Sequence, residues 1–301
     1  VVSDWRAWNE TVTRETVRIE CICKIGAAGS FDVDQMVGSD AGNNGRPGQQ
    51  IDSDAAGCID VVDTIKGTKT IEDALNTSNA LIKTEIESVA PNNARIADLG
   101  CGVGASLFYI HPHLQNPAPA LGLTLSPVQA KLAGESAAQL GLQEQINFAE
   151  GDFTSVPLPS EALDAVYSVE AVCHAVDPES YFREASRLLR KGGKLILVDD
   201  YQAARPFSAN ENKWLKAYID GWYVPGVRTI EQVLSFANKY QLQLTKNEEL
   251  TSHLRLRNLP DLLASALLFL GEKLPIKHAI VPSMLGSMAL QQCLSMNVVE
   301  Y

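Results

Sequence analysis

The sequence predicts an α/β fold with a doubly wound, mostly parallel sheet, and three observations lead to that prediction. Between about residues 70 and 200, short apolar segments of strand length alternate with segments of helical periodicity. A glycine-rich turn, residues 100–104, follows the first of these strands and precedes a helix. The 301 residues, 46% hydrophobic and 20% charged, are enough for one or two domains with a full core.

The first zone, residues 1–70, is predicted to be a helical extension followed by a flexible linker. Apolar residues recur at helical spacing and predict an amphipathic helix ending near Cys23; they are Trp5, Trp8, Val12, Ile19 and Ile22. Residues 26–57 are rich in Gly and Asp and carry few bulky apolar side chains, so we expect a loop there. We expect the helix to cover the mouth of an active site or to dock on a second subunit, since a short helix must bury its apolar face.

The second zone, residues 71–200, carries the alternation of strands and helices. Thr70 with Asp73 resembles a helix-capping box, and Ser126 followed by Pro127 is typical of a helix start. The predicted strands are 94–99, 120–125, 146–150, 163–169 and 194–198. The predicted helices are 71–89, 103–114, 127–140 and 178–190, the last closed by the glycines at 192 and 193.

The third zone, residues 201–301, is predicted to hold a lid and the last strands of the sheet. We expect helices at 229–239, 259–270 and 281–295, a strand at 243–250 and the start of a last strand at 298–301. The apolar, proline-interrupted segments 200–225 and 255–295 suit an apolar small acceptor or contact with a membrane surface. Together the zones predict a Rossmann-like fold with a seven-stranded sheet, a helical lid and an N-terminal helical extension.

Charge and cysteine content narrow the class of partner. The formal net charge of −11 repels phosphate backbones, and no Lys/Arg block is present, so the sequence predicts no nucleic-acid partner. The six cysteines are scattered and predict neither a disulfide framework nor a structural metal site. Without a visible signal peptide or a long apolar run, the chain is expected to be cytoplasmic.

The glycine turn is compatible with two kinds of cofactor. Gly100, Gly102 and Ala105 satisfy the dinucleotide pattern G-x-G-x-x-G/A. That interpretation needs an acid at the end of the second strand, where residues 122–125 read Gly-Leu-Thr-Leu. The acids stand instead at Asp98, before the turn, and at Asp152, after the third strand.

Residues 98–104 read Asp-x-Gly-x-Gly-x-Gly, and a Gly-Asp-Phe turn follows at 151–153. This combination resembles class I S-adenosylmethionine-dependent methyltransferases. The segment GLTLSPVQ at 122–129 is similar to the second strand of tocopherol, sterol-like and terpenoid methyltransferases. The resemblance implies S-adenosylmethionine as cofactor and contacts from Asp98, Gly100, Cys101, Gly102, Thr124, Leu125, Gln129, Asp152 and Phe153.

The chemistry of these side chains agrees with that cofactor. Asp98 can attract the ammonium group, while Asp152 can accept from the adenine amino group with Phe153 against the ring. Gln129 would replace the missing ribose acid, and Thr124 would contact the cofactor as in related cyclopropane synthases. An acidic site suits a cationic sulfonium compound better than a pyrophosphate, which argues against NAD.

Residues 167–175 resemble the Y-x-I-E-A-T-C-H-A segment of sterol C-methyltransferases. Glu170 and His174 are four apart and would face one side of a helical turn. Methylation of an alkene leaves a carbocation that needs a base, and aromatic faces can stabilise the cation. We therefore expect Glu170 and His174 to be catalytic, with cation contacts from Tyr109, Tyr201, Trp222 and Tyr223.

The sequence thus predicts a methyltransferase that acts on carbon of an apolar, isoprenoid-like acceptor of the terpenoid or sterol type, in secondary metabolism and without a metal. The alternative is O-, N- or ring C-methylation of a phenolic or amine natural product, with His174 as base. A non-catalytic cofactor-binding protein and an NAD-dependent oxidoreductase are two further classes. The first conflicts with the Glu170–His174 pair and the second with Thr124.

Overall fold

The computed structural model describes residues 17–22, 71–249, 251, 259–273 and 280–300. The strands are β1 (Val17–Ile22), β2 (Ile96–Leu99), β3 (Ala120–Thr124), β4 (Ile146–Glu150), β5 (Leu163–Val169), β6 (Leu189–Val198), β7 (Tyr201–Gln202), β8 (Leu242–Glu248) and β9 (Val299–Glu300). The helices are α1 (Ile71–Val89), α2 (Ala105–Ile110), α3 (Pro127–Gln139), α4 (Pro178–Leu188), α5 (Ala209–Trp222), α6 (Ile230–Lys239), α7 (Asp261–Lys273) and α8 (Ile280–Ser295).

The main sheet has the strand order β4-β3-β2-β5-β6-β1-β8, and every neighbouring pair is parallel. The chain moves outward from β2 to β4 and then returns to lay β5 on the other side of β2. The point between β2 and β5 is therefore the topological switch, where ligands bind at the carboxyl ends of the strands. The predicted fold class, a doubly wound α/β sheet, is confirmed.

The N-terminal segment differs from its prediction, because residues 17–22 form strand β1 and no helix. This strand lies between β6 and β8, with Ile19 in register with Leu195 on one side and Leu244 on the other. Its sequence VRIECI alternates apolar and charged residues over its first four positions, which is the period of a strand. The tryptophans of the predicted helix and the Gly/Asp-rich linker lie outside the described residues.

The set of strands in the sheet also differs from the predicted set. The predicted last strand forms as β9, but it pairs antiparallel with β7 in a separate two-stranded sheet. The main sheet reaches seven strands through β1, which was predicted as part of a helix. The helix predicted over 178–190 ends earlier, at Leu188, because β6 begins at Leu189.

The lid is helical, and its centre is α5, a helix that was not predicted from the sequence. Helices α5 and α8 cross where Gly221 meets Gly286, and a Cβ on Gly221 would lie 2.5 Å from the Cα of Gly286. Trp214 on α5 donates from Nε1 to Asp261 on α7 at 2.8 Å. None of the helices in the described ranges is long and apolar enough to cross a membrane.

Candidate functional site

Asp98 stands near the carboxyl end of β2, at the switch point of the sheet. Its side chain is 2% exposed, and its Oδ1 atom is buried without a hydrogen-bond partner. Burial raises the pKa of Asp98 to about 7, while the nearby hydroxyl of Tyr167 acts in the lowering direction. A buried polar atom without a partner costs about 1–3 kcal/mol. Such a cost fits an atom that meets its partner on a ligand.

The glycine turn leaves open space beside this carboxyl. Gly100, Gly102 and Gly104 have φ values of 101°, 53° and 88°, all in the region that favours glycine. A Cβ on Gly100 would collide with Ala171, and one on Gly104 would lie 2.5 Å from the Phe148 ring. A Cβ on Gly102 would meet nothing within 4 Å, so the turn is open to a ligand at this point.

The end of β3 brings the predicted Thr124 and Gln129 into direct contact. The Thr124 hydroxyl donates to Oε1 of Gln129 at 2.8 Å, and both side chains are buried. Ser126 caps α3 by accepting from the backbone N–H of Gln129, as the sequence predicts. Leu125 lies beside them and is 66% exposed. The backbone N–H groups of Gly100 and Cys101 bond to the carbonyl of Leu123, which joins this strand end to the glycine turn.

Asp152 and Phe153 follow β4 on the neighbouring side. Oδ1 of Asp152 accepts from both the backbone N–H and the hydroxyl of Thr154, at 2.7 and 2.8 Å. The Phe153 ring meets the Tyr181 ring edge to face, with centroids 5.2 Å apart. The Gly151 N–H bonds to the Thr124 carbonyl at 2.8 Å, so this turn is fixed against the end of β3.

Glu170 and His174 do not lie on one helical turn, which corrects the sequence expectation. Glu170 has a φ of 52° and leaves β5 in a left-handed conformation. The 3-10 turn that contains His174 begins only at Val172. The cause is local packing, since Ala171 lies directly against Gly100 and the Glu170 N–H bonds to the carbonyl of Val198. Both side chains are half-buried at the carboxyl edge of the sheet.

The four aromatic residues predicted to contact an acceptor have different surroundings. Tyr109 is half-buried near the end of α2 and stacks on the exposed His113 at 4.7 Å. Tyr201 is buried in β7, and Trp222 is half-buried. Tyr223 is 71% exposed.

Several residues at this edge were not predicted from the sequence. Tyr167 is the register partner of Asp98 on β5 and is fully buried. Asp199, which lies between β6 and β7, accepts from the backbone N–H of Cys173 at 3.0 Å. This bond fixes the 3-10 turn that contains His174. Asp200 accepts from the hydroxyl of Tyr218 on α5, which ties the lid to the sheet. Asp199 and Asp200 directly follow the buried strand β6, and that position in the sequence could have indicated them as site residues.

The part of the chain that forms this site is similar in sequence to known proteins. Residues 97–197, about a third of the chain, match the family profile described as "Methyltransferase domain". This segment begins beside Asp98, contains the glycine turn and ends within β6.

Over residues 97–197, the chain is similar to a methyltransferase domain.

Relatives of this domain include enzymes of two named methylation types. A probable chloroplastic tocopherol O-methyltransferase of Oryza sativa subsp. japonica is 31% identical over 135 residues, which are 43% of this chain and 37% of that protein. A sterol 24-C-methyltransferase of Gibberella zeae is 36% identical over 99 residues, which are 33% of this chain and 26% of that protein. The chain therefore spans less than half the length of either relative.

A solved geranyl diphosphate methyltransferase in complex with S-adenosylmethionine shares the fold. Its TM-score is 0.59 at 18% identity, over 76% of this chain and 84% of that one. This likeness extends beyond the methyltransferase domain into residues that the family profile leaves unmatched.

Proposed function

We propose that the protein is an S-adenosylmethionine-dependent methyltransferase that acts on carbon of an apolar, isoprenoid-like small molecule. The observation that supports the cofactor assignment is the buried Asp98 carboxyl. Its Oδ1 has no hydrogen-bond partner and stands beside the open turn at Gly102. A cationic ligand at that position would supply the missing partner and would compensate the buried charge.

The remaining side chains of the strand ends fit the rest of this cofactor. Thr124 and Gln129 would contact the ribose, with the Gln129 amide oriented by its bond to Thr124. Asp152 would accept from the adenine amino group, with Phe153 against the ring. Gly100, Cys101 and Leu125 would contribute backbone and apolar contacts. When bound, S-adenosylmethionine supplies the electrophilic methyl group.

Glu170 is the residue that we assign as the base for a carbon acceptor. Its left-handed backbone puts it at the end of β5, next to the residue that covers Gly100. A carboxylate there can remove a proton from the methylated cation and stabilise its charge. His174, at the end of the following 3-10 turn, would orient Glu170 or contact the acceptor.

The apolar lid supports an apolar acceptor. Helix α7 exposes a broad apolar face, made of Leu262, Leu263, Leu267, Phe269 and Leu270, of which Leu262 is 85% exposed. Large contiguous apolar surface is typical of sites that receive an apolar ligand or a membrane surface. Of the four predicted aromatic contacts, Trp222 fits this role best, since it is half-buried and lies on α5, which bonds to α7.

A phenolic acceptor is the second candidate, because the tocopherol relative is named as an O-methyltransferase. His174 would then be the base that removes the phenol proton. An amine acceptor would follow the same scheme. A cytoplasmic location also belongs to this proposal, supported by six scattered cysteines whose spacing shows no disulfide framework.

The cofactor assignment is tested by binding S-adenosylhomocysteine to two matched glycine variants. Gly102→Ala and Gly141→Ala both place a Cβ in open space at positive φ, at 53° and 72° respectively. The backbone strain is therefore similar, roughly 1–2 kcal/mol in each. We expect calorimetry to show affinity lost in Gly102→Ala and kept in Gly141→Ala. Equal affinities in the two variants, or NADH binding in preference, would contradict the assignment.

A further inference from the structure

Asp98 and Tyr167 form a buried pair that the cofactor assignment does not by itself explain. They are register partners on the adjacent parallel strands β2 and β5, so their side chains lie on the same face of the sheet. Both are almost completely buried, at 2% and 0% exposure. Neither Oδ1 of Asp98 nor the hydroxyl of Tyr167 has a fully formed hydrogen bond, although the hydroxyl is close enough to lower the pKa of Asp98. Two adjacent buried polar groups are thus left unsatisfied at the switch point of the sheet.

We propose that this pair couples cofactor binding to proton release: Asp98 is neutral in the unliganded protein and gives up its proton when the cofactor's α-ammonium binds, and Tyr167 then donates to the new carboxylate. Tyr167 is a positioning residue in this scheme, since it acts through Asp98. The inference rests on the proposed function and extends it by specifying how the protonation of Asp98 changes when the cofactor binds.

The surroundings of Asp98 favour its neutral form before binding. Burial raises its pKa to about 7, and within the described residues no cation offsets that effect. On β3 its register partner is Gly122, which has no side chain to titrate. On the turn, burial and the charge of Asp98 both raise the pKa of the Cys101 thiol, which therefore stays neutral.

Tyr167 is suited to be the donor that acts after binding. Burial, with the charge of Asp98, raises its pKa well above the usual value, so its hydroxyl keeps its proton. The same hydroxyl acts to lower the pKa of Asp98, which means that it favours the carboxylate.

The proton balance of the binding step is simple. The Asp98 carboxylic acid loses one proton to solvent, and the ligand's ammonium remains protonated and pairs with the carboxylate. Binding of a ligand without an ammonium group would not favour the Asp98 carboxylate, so it would release no proton from Asp98. The scheme therefore separates recognition of the amino-acid end from recognition of the nucleoside.

The test is calorimetric titration of S-adenosylhomocysteine at about pH 6 in buffers of different ionisation enthalpy. We expect release of nearly one proton per ligand bound, because Asp98 is mostly protonated there. The dissociation constant should rise about tenfold for each pH unit below 7 and level off above about pH 8. 5′-Deoxy-5′-methylthioadenosine, which keeps the nucleoside and lacks the amino-acid end, should bind without proton release.

Two variants separate Tyr167 from general effects on the core. Tyr167→Phe should move the break in the affinity profile to higher pH and leave affinity at pH 9 nearly unchanged. Tyr240→Phe is the control, since its hydroxyl bonds to Glu179 and should leave the break where it is. Asp98→Asn should bind weakly at every pH and release no proton.

Binding of S-adenosylhomocysteine without proton release, or a Tyr167→Phe profile identical to that of the unmodified protein, would overturn the coupling. Absence of binding at every pH would instead reject the proposed function.

Discussion

Two buried carboxyls, one near the C-terminal end of β2 and one near the N-terminal end of β5, have pKa values shifted in opposite directions. No cation among the described residues pairs with Asp98, and burial raises its pKa to about 7. Asp164 is also desolvated, but bonds from Arg95 and Arg190 outweigh this and lower its pKa. Those bonds are 2.9 and 2.5 Å long. When ionised, the Asp98 carboxylate therefore destabilises the fold, whereas the Asp164 carboxylate stabilises the start of the strands.

These directions predict opposite effects of Asp→Asn on stability. Since the folded pKa of Asp98 is raised, its contribution to stability is full below about pH 4 and is lost as the pH rises through 7. Asp98→Asn should therefore raise the free energy of unfolding at pH 8 by about 1–3 kcal/mol and change little at pH 4. Asp164→Asn should lower it at pH 8 by about 3–5 kcal/mol, an effect that shrinks on acidification. Urea unfolding of the unliganded protein at both pH values measures the two changes, and a destabilised Asp98→Asn at pH 8 would contradict the account.

Glu170→Gln tests the base at the same scale. The change keeps the shape and removes the charge, so turnover with a carbon acceptor should fall by roughly 10²–10⁴. Affinity for S-adenosylhomocysteine should change little. Glu161→Gln is the control, since Glu161 is an exposed glutamate with a similar φ of 58°. Equal loss of binding and turnover would make Glu170 a cofactor contact, and full turnover would favour the phenol or amine acceptor.

At the scale of elements, β1 supports the sheet from both sides. It lies between β6 and β8, so the N–H groups of a central strand are needed for pairing. Ile19→Pro should destabilise the protein strongly, while Ile19→Thr keeps the N–H and should cost far less. Thermal unfolding measures both. Deletion of residues 1–25, which would remove β1 entirely, should likewise unfold the sheet edge; equal melting temperatures would exclude a structural role for β1.

The contact of α5 with α8 depends on two small residues. Gly221→Ala would force these helices apart at Gly286 and should lower the free energy of unfolding by about 1–3 kcal/mol. Gly134→Ala is the matched control on α3, where a Cβ meets nothing within 4 Å. That change should stabilise by about 0.5–1 kcal/mol, because alanine favours the helix. A change in the free energy of unfolding in the same direction for both variants would contradict the tight crossing of α5 and α8.

Elements with a strong local signal could be predicted from the sequence, and those set by distant partners could not. Ser126-Pro127 determined the start of α3, and β4 and β5 follow their apolar runs exactly as far as predicted. Strand β1 is six residues long and alternates over only four of them, a local signal too short to outweigh the helical spacing of residues 5–22. The turn at Glu170 likewise depends on the contact between Ala171 and Gly100.

For the whole molecule, the sequence indicated the carboxyl edge of the sheet as the site, and the strand ends do meet there. A recognisable motif singled out Thr124 and Gln129 as cofactor contacts, but their bond to each other was not predicted. The partner of Asp98, Tyr167, is 69 positions away and becomes its neighbour only through the parallel register. The acceptor stays a proposal, because the exposed apolar face of α7 limits its polarity without specifying its shape.

The most direct test of the central claim is to supply S-adenosylmethionine with a deuterated methyl group and a panel of terpenoid, sterol, quinol, phenol and amine acceptors. Mass spectrometry would detect the transferred CD₃ group, and NMR would assign the atom that carries it. We expect a new carbon–CD₃ bond on a terpenoid or sterol acceptor, and its loss in Gly102→Ala. A CD₃ group found only on oxygen or nitrogen, or no transfer to any acceptor by a protein that binds the cofactor, would contradict it.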